Sequence, residues 1–186
     1  MRSSAPSLAL IALALSLGCA SPEPAPAKAA DPVQVGTLHA LNGVSYDVDQ
    51  ALARGETVAL VFWQTWCESC EKEAPLVAQA AKEHTGKIRF FGVVPGKDET
   101  VKESEVLAVA DTWGYATFPQ VRDRDLSLTQ KLGVKGTPTI VVLGKGSEVL
   151  FNGHRPPQDW SRLEGVTFDP DTAGGCEGGV CPLPTE

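Results

Sequence analysis

The sequence contains no cluster of basic residues, no internal repeat and no apolar run long enough to cross a bilayer. It has 16 Lys and Arg residues against 23 Asp and Glu residues, which gives a formal charge of −7 at pH 7. An acidic chain without a basic cluster is a poor candidate for nucleic-acid binding, and we expect the charge to support solubility. The three histidines, His39, His84 and His154, are scattered without metal-ligand spacing, so we expect no metal site. His154 precedes an arginine and two prolines, which predicts a solvated loop.

The length and composition predict one small folded domain with tails at both ends. A chain of 186 residues allows a single compact core, and 42% hydrophobic residues exclude a fully disordered chain. The predicted segments are a signal peptide (1–18), a lipidation site with a Pro/Ala-rich tether (19–32), the folded domain (33–165) and a flexible tail with a cysteine pair (166–186).

The first 18 residues have the pattern of a secretory leader. Arg2 is followed by ten residues (8–17) of Leu, Ala and Ile that are interrupted only by Ser16, and then by Gly18. This run is too short to span a bilayer. Because Arg2 is the only charged residue of the leader, its removal changes the net charge from −7 to −8.

Cys19, directly after the leader, suggests the lipobox of bacterial lipoproteins, in which the cysteine becomes the lipidated first residue. The match is incomplete, because Leu17 lies where a small residue is usual and Ser16 takes the usual leucine position. The alternative is an ordinary signal peptide followed by an incidental cysteine. We expect lipidation, since an unpaired thiol is a liability in a secreted chain. The proline-rich residues 20–32 then predict an extended tether.

Residues 66–70 read Trp-Cys-Glu-Ser-Cys and lie between a predicted buried strand (58–63) and a predicted helix. Two cysteines three positions apart at such a junction face each other across one helical turn, and they can close a disulfide without backbone movement. The unpaired N–H groups and the positive dipole end of the helix stabilise a thiolate at Cys67. With Cys70 as its resolving partner, Cys67 predicts thiol–disulfide exchange.

The rest of the folded segment alternates strands and helices. Asn42 and Gly43, between alternating segments, predict a tight hairpin. The strand before Cys67, the helix after it and the next apolar run predict a βαβ unit with a right-handed crossover. The predicted helices cover 47–54, 67–84, 99–113, 126–132 and 157–163, and the predicted strands cover 58–63, 88–94, 139–143 and 148–151.

This pattern resembles the thioredoxin superfamily, most closely the extracytoplasmic TlpA/ResA-like thiol–disulfide oxidoreductases. The matching stretches are Phe-Trp-Gln-Thr-Trp-Cys-Glu-Ser-Cys at 62–70, Lys-Glu-Ala-Pro at 72–75 and Gly-Val-Lys-Gly-Thr-Pro-Thr at 133–139. A C-x-x-C in a βαβ pattern with a downstream Thr-Pro is a specific signature, and the resemblance covers most of the chain after the tether. It implies an α/β, thioredoxin-like fold: a central mixed β-sheet flanked by helices, with an N-terminal β-hairpin.

The cysteine motif suggests a role for each of its residues. Cys67, at the helix start, is predicted to be an exposed attacking thiolate, and Cys70, one turn in, a shielded resolving thiol. We expect Trp66 to pack beside the disulfide and limit water access. Pro75 lies five residues after Cys70, where the superfamily kinks its active-site helix.

The second part of the predicted site is the loop that contains Thr137 and Pro138. In the resembling families this peptide bond is cis and lies against the disulfide, and the backbone at Thr137 pairs with the bound substrate as a β-strand does. The alternative is a trans proline that begins an edge strand.

Two departures from the superfamily pattern affect the predicted mechanism. Thioredoxin has an acid on the strand six residues before the first cysteine, where it assists proton transfer, but this chain has Val61 and no evident replacement. Ser69 takes the place of the common proline before the second cysteine. Glu68 should oppose the Cys67 thiolate and Lys72 should favour it, so the sequence leaves the direction of electron flow open.

Cys176 and Cys181 enclose four residues of the tail, two of which are glycines. One interpretation is a local disulfide, because the glycines allow the sulfurs to approach bonding distance. A second is a redox pair that relays electrons to or from Cys67 and Cys70, since an extended stretch from Val166 spans about 30 Å. A third is a zinc site formed by the four cysteines.

We therefore expect an oxidoreductase outside the cytoplasm, in the bacterial periplasm, anchored to the membrane by lipidated Cys19. The expected partners are thiols and disulfides of exported proteins, with a membrane thiol–disulfide electron-transfer protein as a candidate second partner, and the redox disulfide requires no cofactor. One alternative is a peroxiredoxin-type peroxidase, but Gln64 and Leu60 occupy the positions of its Thr and Pro. The other is a copper- or zinc-binding module, although the copper proteins of this fold use C-x-x-x-C and a distant His.

Overall fold

The computed structural model describes residues 32–170, and the leader, the tether up to residue 31 and the last 16 residues lie outside the described part. The strands in this part are β1 (Thr37–His39), β2 (Ser45–Asp47), β3 (Thr57–Phe62), β4 (Ile88–Pro95), β5 (Gln120–Asp123), β6 (Thr139–Leu143) and β7 (Val149–Gly153). The helices are α1 (Val48–Ala53), α2 (Glu68–Glu83), α3 (Glu103–Thr112) and α4 (Ser127–Lys131), and short 3-10 turns lie at Tyr115–Thr117, Lys145–Ser147 and Ser161–Leu163.

Strands β3 to β7 form a mixed sheet in the order β5-β4-β3-β6-β7. β3, β4 and β5 are parallel, whereas β6 is antiparallel to β3 and β7 is antiparallel to β6. β3 is buried along its whole length because both faces of the sheet are covered, as is usual for a central strand. Val58, Leu60 and Phe62 enter one hydrophobic cluster, and Ala59 and Val61 enter the cluster under α2. The predicted mixed sheet flanked by helices is confirmed.

The predicted N-terminal hairpin is also confirmed, and β1 and β2 form a separate two-stranded sheet. The turn is closed by a 2.9 Å hydrogen bond from the Ala40 N–H to the Val44 carbonyl, and Gly43 adopts a φ of 83° that favours glycine. Asp47 then begins α1, because its side chain accepts a hydrogen bond from the Gln50 backbone N–H at 2.9 Å.

Helix α2 carries the cysteine motif and agrees with the predicted range. Cys67 is its N-cap and His84 is its C-cap. The helix buries one face against the sheet, formed by Cys70, Ala74, Val77, Ala78, Ala80 and Ala81. Beyond the last turn, the His84 ring lies 2.8 Å from the Glu164 carboxylate, which ties the helix end to the C-terminal part of the domain.

β5 is a strand that the hydropathy pattern does not reveal. Gln120, Arg122 and Asp123 interrupt any apolar run, yet all are buried. The Asp123 carboxylate accepts hydrogen bonds from the backbone N–H groups of Leu128 and Thr129, at 3.2 and 2.8 Å. Polar side chains that have partners of this kind can be buried in an edge strand such as β5, which then has no apolar signature.

Helix α3 begins at Glu103, four residues later than predicted, because a buried arginine holds the preceding loop. The side chain of Arg122 has no exposed surface and donates to the carbonyls of Gly96 at 2.6 Å and Val101 at 2.5 Å. Burial lowers the pKa of Arg122, and the neighbouring Asp98 carboxylate opposes this effect.

The predicted helix over 157–163 is wrong, since the structure has only a 3-10 turn at Ser161–Leu163. The Asp159 carboxylate accepts hydrogen bonds from the backbone N–H and the hydroxyl of Ser161, at 3.1 and 2.5 Å, and this contact favours a local turn over a helix. Trp160 is buried, with its ring centroid 5.0 Å from that of Phe90, so packing of one large side chain fixes the segment.

The fold continues beyond residue 165, the predicted end of the domain. The backbone N–H of Val166 donates a hydrogen bond to the Gly55 carbonyl at 3.1 Å, and the backbone N–H of Phe168 donates one to the Gly86 carbonyl at 2.8 Å. The Arg89 guanidinium lies 4.1 Å from the centre of the Phe168 ring. Because Gly55 and Gly86 precede β3 and β4, this C-terminal segment runs along the edge of the sheet at the amino ends of both strands.

Candidate active site

The sheet and α2 place the two cysteines beyond the carboxyl end of β3. The backbone N–H of Trp63 donates to Val93 of β4 at 3.0 Å, and the chain turns where the Cys67 N–H donates to the Gln64 carbonyl at 3.1 Å. The Cys67 Sγ then accepts a hydrogen bond from the Cys70 N–H at 3.2 Å. The positive end of α2 is therefore directed at the Cys67 sulfur.

Cys67 and Cys70 form a disulfide with an S–S distance of 2.13 Å and a Cα–Cα distance of 5.2 Å. Cys70 is shielded, at 1% exposure. Cys67 is only 6% exposed, so the prediction of an exposed sulfur is wrong for this disulfide form. The bond to Cys70 and the packing of both residues in the cluster under α2 cover it. Of the two sulfurs, Cys67 is still the more accessible to a partner.

Trp66 does not shield the disulfide as predicted, because it is 72% exposed. Trp63 takes the buried position instead, with its ring centroid 5.2 Å from Trp113 and 5.6 Å from Tyr115. The reason is the alternation of β3: Trp63 continues the inward-facing series of Val61, whereas Trp66 lies in the turn before α2. Its indole thus lies in solvent next to the cysteines.

The peptide bond between Thr137 and Pro138 is cis, as the resemblance implies. Thr139, the next residue, begins β6 and is paired with Phe62, the last residue of β3. Pro138 therefore lies at the end of the sheet where β3 leads into the cysteine motif. The Thr139 hydroxyl closes the loop by donating to the Gly136 carbonyl at 2.7 Å.

Pro75 lies inside α2, and its side chain is exposed. A proline has no N–H, so the helical hydrogen bond to the Glu71 carbonyl is missing at this point. Glu68 and Lys72, whose charges act in opposite directions on a Cys67 thiolate, are both exposed on the first turns of the helix.

Glu73 is an active-site group that the sequence reasoning missed. It lies three residues after Cys70 on the same side of α2, and its Oε2 is buried with no hydrogen-bond partner among the described residues. Burial raises the pKa of Glu73, whereas the electrostatic effects of Arg155 and His154 oppose the rise. Burial also raises the pKa of the neighbouring Tyr115, and the Glu73 carboxylate raises it further.

The signal that points to Glu73 is its spacing from the second cysteine. An acid three residues after Cys70 in a helix shares the face of that cysteine. The thioredoxin pattern has its acid on the strand, where this chain has Val61, so that pattern gives no indication of an acid on the helix.

His154 and Arg155 are exposed, as a solvated loop requires, but they also lie at the active-site edge. The His154 Nδ1 is 2.8 Å from the Pro138 carbonyl oxygen and 3.2 Å from the Thr139 hydroxyl. Together with the electrostatic effect of both residues on Glu73, these contacts assign the residues after β7 to the site.

The remaining predicted site residues, Cys19, Cys176 and Cys181, lie outside the described residues. Within residues 32–170, no three His, Cys, Asp or Glu side chains come close enough together to hold a metal ion. In the same part of the chain, no helix is both long enough and apolar enough to cross a membrane.

The sequence matches the Redoxin family model over residues 28–166. It is 34% identical over 91 residues to the thioredoxin-like protein YneN of Bacillus subtilis, a match that covers 49% of this chain and 52% of YneN. It is 31% identical over 117 residues to the thiol-disulfide oxidoreductase ResA of Geobacillus kaustophilus, which covers 61% of this chain and 64% of ResA. The chain thus spans about half to two thirds of the length of these relatives.

Solved structures give the same fold. The dsbF protein of MTB, in its mixed oxidized and reduced forms, aligns with a TM-score of 0.56 and 25% identity over 70% of this chain and 90% of its own. The exposed lipoprotein thioredoxin Etrx1 of Streptococcus pneumoniae aligns with a TM-score of 0.54 and 22% identity, over 67% of this chain and 91% of its own.

Proposed function

Because this chain belongs to the Redoxin family, among the TlpA/ResA-like members of the thioredoxin superfamily, we propose that it is a thiol–disulfide oxidoreductase acting on disulfides of exported proteins. The observation that carries the proposal is the Cys67–Cys70 disulfide at the amino end of α2. The disulfide lies beyond the carboxyl end of β3, at the same end of the sheet as the loop that contains cis-Pro138. A redox pair at the same end of the sheet as this loop suits a protein substrate that docks on the loop as an extended segment.

In the reductive direction the reaction takes two exchanges. The Cys67 thiolate attacks one sulfur of the substrate disulfide, forms a mixed disulfide and releases the other substrate sulfur as a thiolate. Cys70 then loses its proton and attacks the Cys67 sulfur. This releases the second substrate thiolate and leaves the Cys67–Cys70 disulfide, so two electrons pass to the substrate. The oxidative direction is the reverse sequence.

We assign to Glu73 the role of accepting the proton that the Cys70 thiol loses. It lies one helical turn from Cys70, and its half-buried carboxyl has a raised pKa, which makes its carboxylate a better proton acceptor. In this assignment the helix supplies the acid that β3 lacks at Val61.

The proposed location is the bacterial periplasm, with the mature chain anchored by a lipid on Cys19. The support is the leader pattern before Cys19 and the proline-rich sequence after it. We expect Cys19→Ser to release the protein from membranes or to block its processing. Mass spectrometry that finds an unmodified N-terminus away from Cys19 would contradict this part of the proposal.

For the tail cysteines, we propose a local disulfide, with a second redox pair that relays electrons to or from the Cys67–Cys70 disulfide as the alternative. The chain is held through Phe168 at the amino ends of β3 and β4, whereas the active site lies beyond the carboxyl end of β3. From Phe168, a fully extended chain reaches at most about 29 Å to Cys176 and about 47 Å to Cys181. Cys181 therefore has the greater reach for a relay within one molecule.

The relay can be tested by comparing the full chain with a Cys176→Ser/Cys181→Ser variant. A relay predicts slower exchange with the physiological partner and an unaltered rate with a small-molecule disulfide. Equal rates with that partner would favour the local disulfide.

Trapping of substrate tests the central proposal. Cys70→Ser removes the resolving thiol, so mixed disulfides on Cys67 should accumulate and be released by dithiothreitol. Cys67→Ser is the matched control, and it should abolish both exchange and trapping because Cys70 is shielded. Trapping by Cys67→Ser instead would reverse the two roles. No trapping by either variant, with copper or zinc bound to the reduced wild type, would favour a metal-binding module.

The reduction potential of the Cys67–Cys70 pair decides the direction of electron flow. A value near or below about −250 mV indicates a reductant of exported proteins, and a value near about −120 mV indicates an oxidant.

A further inference from the structure

His154 follows β7 directly and contacts the loop that leads into β6. The two strands are antiparallel, with Ile140 paired to Gly153, so the next position along the register brings His154 beside Thr139. Its Nδ1 lies 2.8 Å from the Pro138 carbonyl oxygen and 3.2 Å from the Thr139 hydroxyl oxygen. The ring therefore contacts the backbone of the cis-proline and the side chain that follows it.

The partners of His154 determine which ring nitrogen carries the proton. The Pro138 carbonyl can only accept a hydrogen bond, so Nδ1 must donate. The Thr139 hydroxyl donates its own hydrogen to the Gly136 carbonyl at 2.7 Å, and its oxygen remains an acceptor. Both contacts require a proton on Nδ1, which leaves Nε2 unprotonated in the neutral ring.

The loop before β6 depends on side chains for its position. Sheet pairing extends only to Thr139 on the β3 side and to Ile140 on the β7 side. Pro138 has no N–H to donate. Among the described contacts, the loop is held by the Thr139 hydroxyl on Gly136 and by His154 on the Pro138 carbonyl.

We propose that His154 is a positioning residue for substrate docking, which holds the Pro138 carbonyl and thereby fixes the orientation of the Thr137 backbone edge. This inference rests on the proposed function, in which an extended substrate segment pairs with that edge next to Cys67. The His154 side chain is exposed, so its removal leaves the hydrophobic core intact. A loss of docking is therefore separable from a loss of folding.

Three variants test this role in the full chain. His154→Ala removes the donor, whereas His154→Asn keeps an amide N–H near the place of Nδ1. His39→Ala is the control, because His39 is an exposed residue of the N-terminal hairpin and its ring contacts the Ser45 hydroxyl there, not the loop before β6. Each is assayed for kcat/KM with insulin, a protein disulfide, and with bis(2-hydroxyethyl) disulfide, which is too small to pair with the loop.

The expected result is a larger loss with insulin than with the small disulfide for His154→Ala, about five- to tenfold in the ratio of the two kcat/KM values. His154→Asn should restore most of that ratio, and His39→Ala should match the wild type. An unchanged ratio in His154→Ala, or no recovery in His154→Asn, would overturn the positioning role. A wild type that exchanges with neither disulfide would overturn the proposed function itself.

A second measurement examines the contact without any assay of activity. Long-range 1H–15N NMR of the neutral His154 ring should find the proton on Nδ1 and not on Nε2. A neutral ring protonated at Nε2 would show that the bond to Pro138 is absent, and it would overturn the inference whatever the kinetics.

Discussion

The indole N–H of Trp63 donates to the Oε1 of Gln120 at 3.1 Å, and this bond joins two residues that are 57 positions apart in the chain. The amide nitrogen of Gln120 donates to the carbonyls of Tyr115 and Phe118, at 2.8 and 2.9 Å. Both the oxygen and the nitrogen of the buried Gln120 amide thus have hydrogen-bond partners. Because Trp63 leads from β3 into the cysteine motif, Gln120 anchors the point from which Cys67 is positioned.

The Gln120 anchor predicts that Gly92→Ala destabilises the protein. Gly92 is paired with Gln120, and a Cβ at this position would lie 1.9 Å from Oε1 and 2.7 Å from Cδ. The amide cannot move away without losing its bonds to Trp63 and to the carbonyls. We expect a loss of about 2–4 kcal/mol in the free energy of unfolding, measured with urea.

Gly136→Ala is the matched control for this substitution. A Cβ at Gly136 meets no atom within 4 Å, and its φ is not in the left-handed region. Its effect on unfolding should stay within about 0.5 kcal/mol. If Gly92→Ala were equally harmless, the Gln120 side chain could not be the rigid anchor described above.

The parts of the fold that the sequence predicts well have strong local signals. β3 is a continuous buried strand, and α2 begins at a cysteine that caps it, so both agree with their predicted ranges. The cis bond before Pro138 also agrees with what the resemblance of residues 133–139 to the thioredoxin superfamily implies. For β3 and α2, local composition and spacing are sufficient.

The parts that the sequence predicts poorly depend on contacts between distant residues. β5 is buried although three of its four residues are polar, since partners elsewhere in the chain satisfy Gln120, Arg122 and Asp123. Trp63 and Trp66 are indistinguishable as residue types, and only the alternation of β3 places one in the core and the other in solvent. The role of Glu73 similarly depends on the packing that buries its Oε2.

Glu73→Gln should stabilise the protein in a pH-dependent manner. Burial raises the pKa of Glu73 above its ordinary value of 4.5, so the carboxyl favours folding only while it is protonated. Below about pH 4.5 it is protonated in both states, and the variant should resemble the wild type. As the pH rises through the folded-state pKa, the wild type loses stability that the amide keeps. We expect a higher Tm for Glu73→Gln at pH 7.5 and little difference at pH 4.

Glu71→Gln serves as the control for this titration, because Glu71 is exposed on the same helix. It should not reproduce the gain at pH 7.5. The proposed proton transfer predicts that Glu73→Gln also slows release of the mixed disulfide by Cys70, so that trapped complexes persist longer than in the wild type. A faster release would remove Glu73 from the proposed mechanism.

Arg122→Met should destabilise the protein strongly. The guanidinium is fully buried and donates to the carbonyls of Val94, Gly96 and Val101, at 3.3, 2.6 and 2.5 Å. Methionine fills similar space but leaves these carbonyls without their donor. We expect a loss of about 3–5 kcal/mol in the free energy of unfolding.

Arg124→Met is the matched control, two residues further along the chain. Arg124 is 47% exposed and pairs with Asp98 at 2.8 Å and with Glu103. Asp98 raises the pKa of Arg124 by accepting its hydrogen bonds, but an exposed ion pair contributes at most about 1 kcal/mol. Similar losses in the two variants would mean that the loop before α3 is not held by buried Arg122.

Trp66→Ala should reduce exchange with protein substrates while leaving the fold stable. The side chain is 72% exposed, so its loss should change the free energy of unfolding by no more than about 0.5 kcal/mol. An exposed indole next to Cys67 offers apolar area that a docked partner can cover, and such aromatic residues often dominate an interface. We expect kcat/KM with insulin to fall several-fold. Leu126→Ala, which removes an exposed apolar side chain at the start of α4, should not change it, and an equal effect of both variants would argue against a docking role for Trp66.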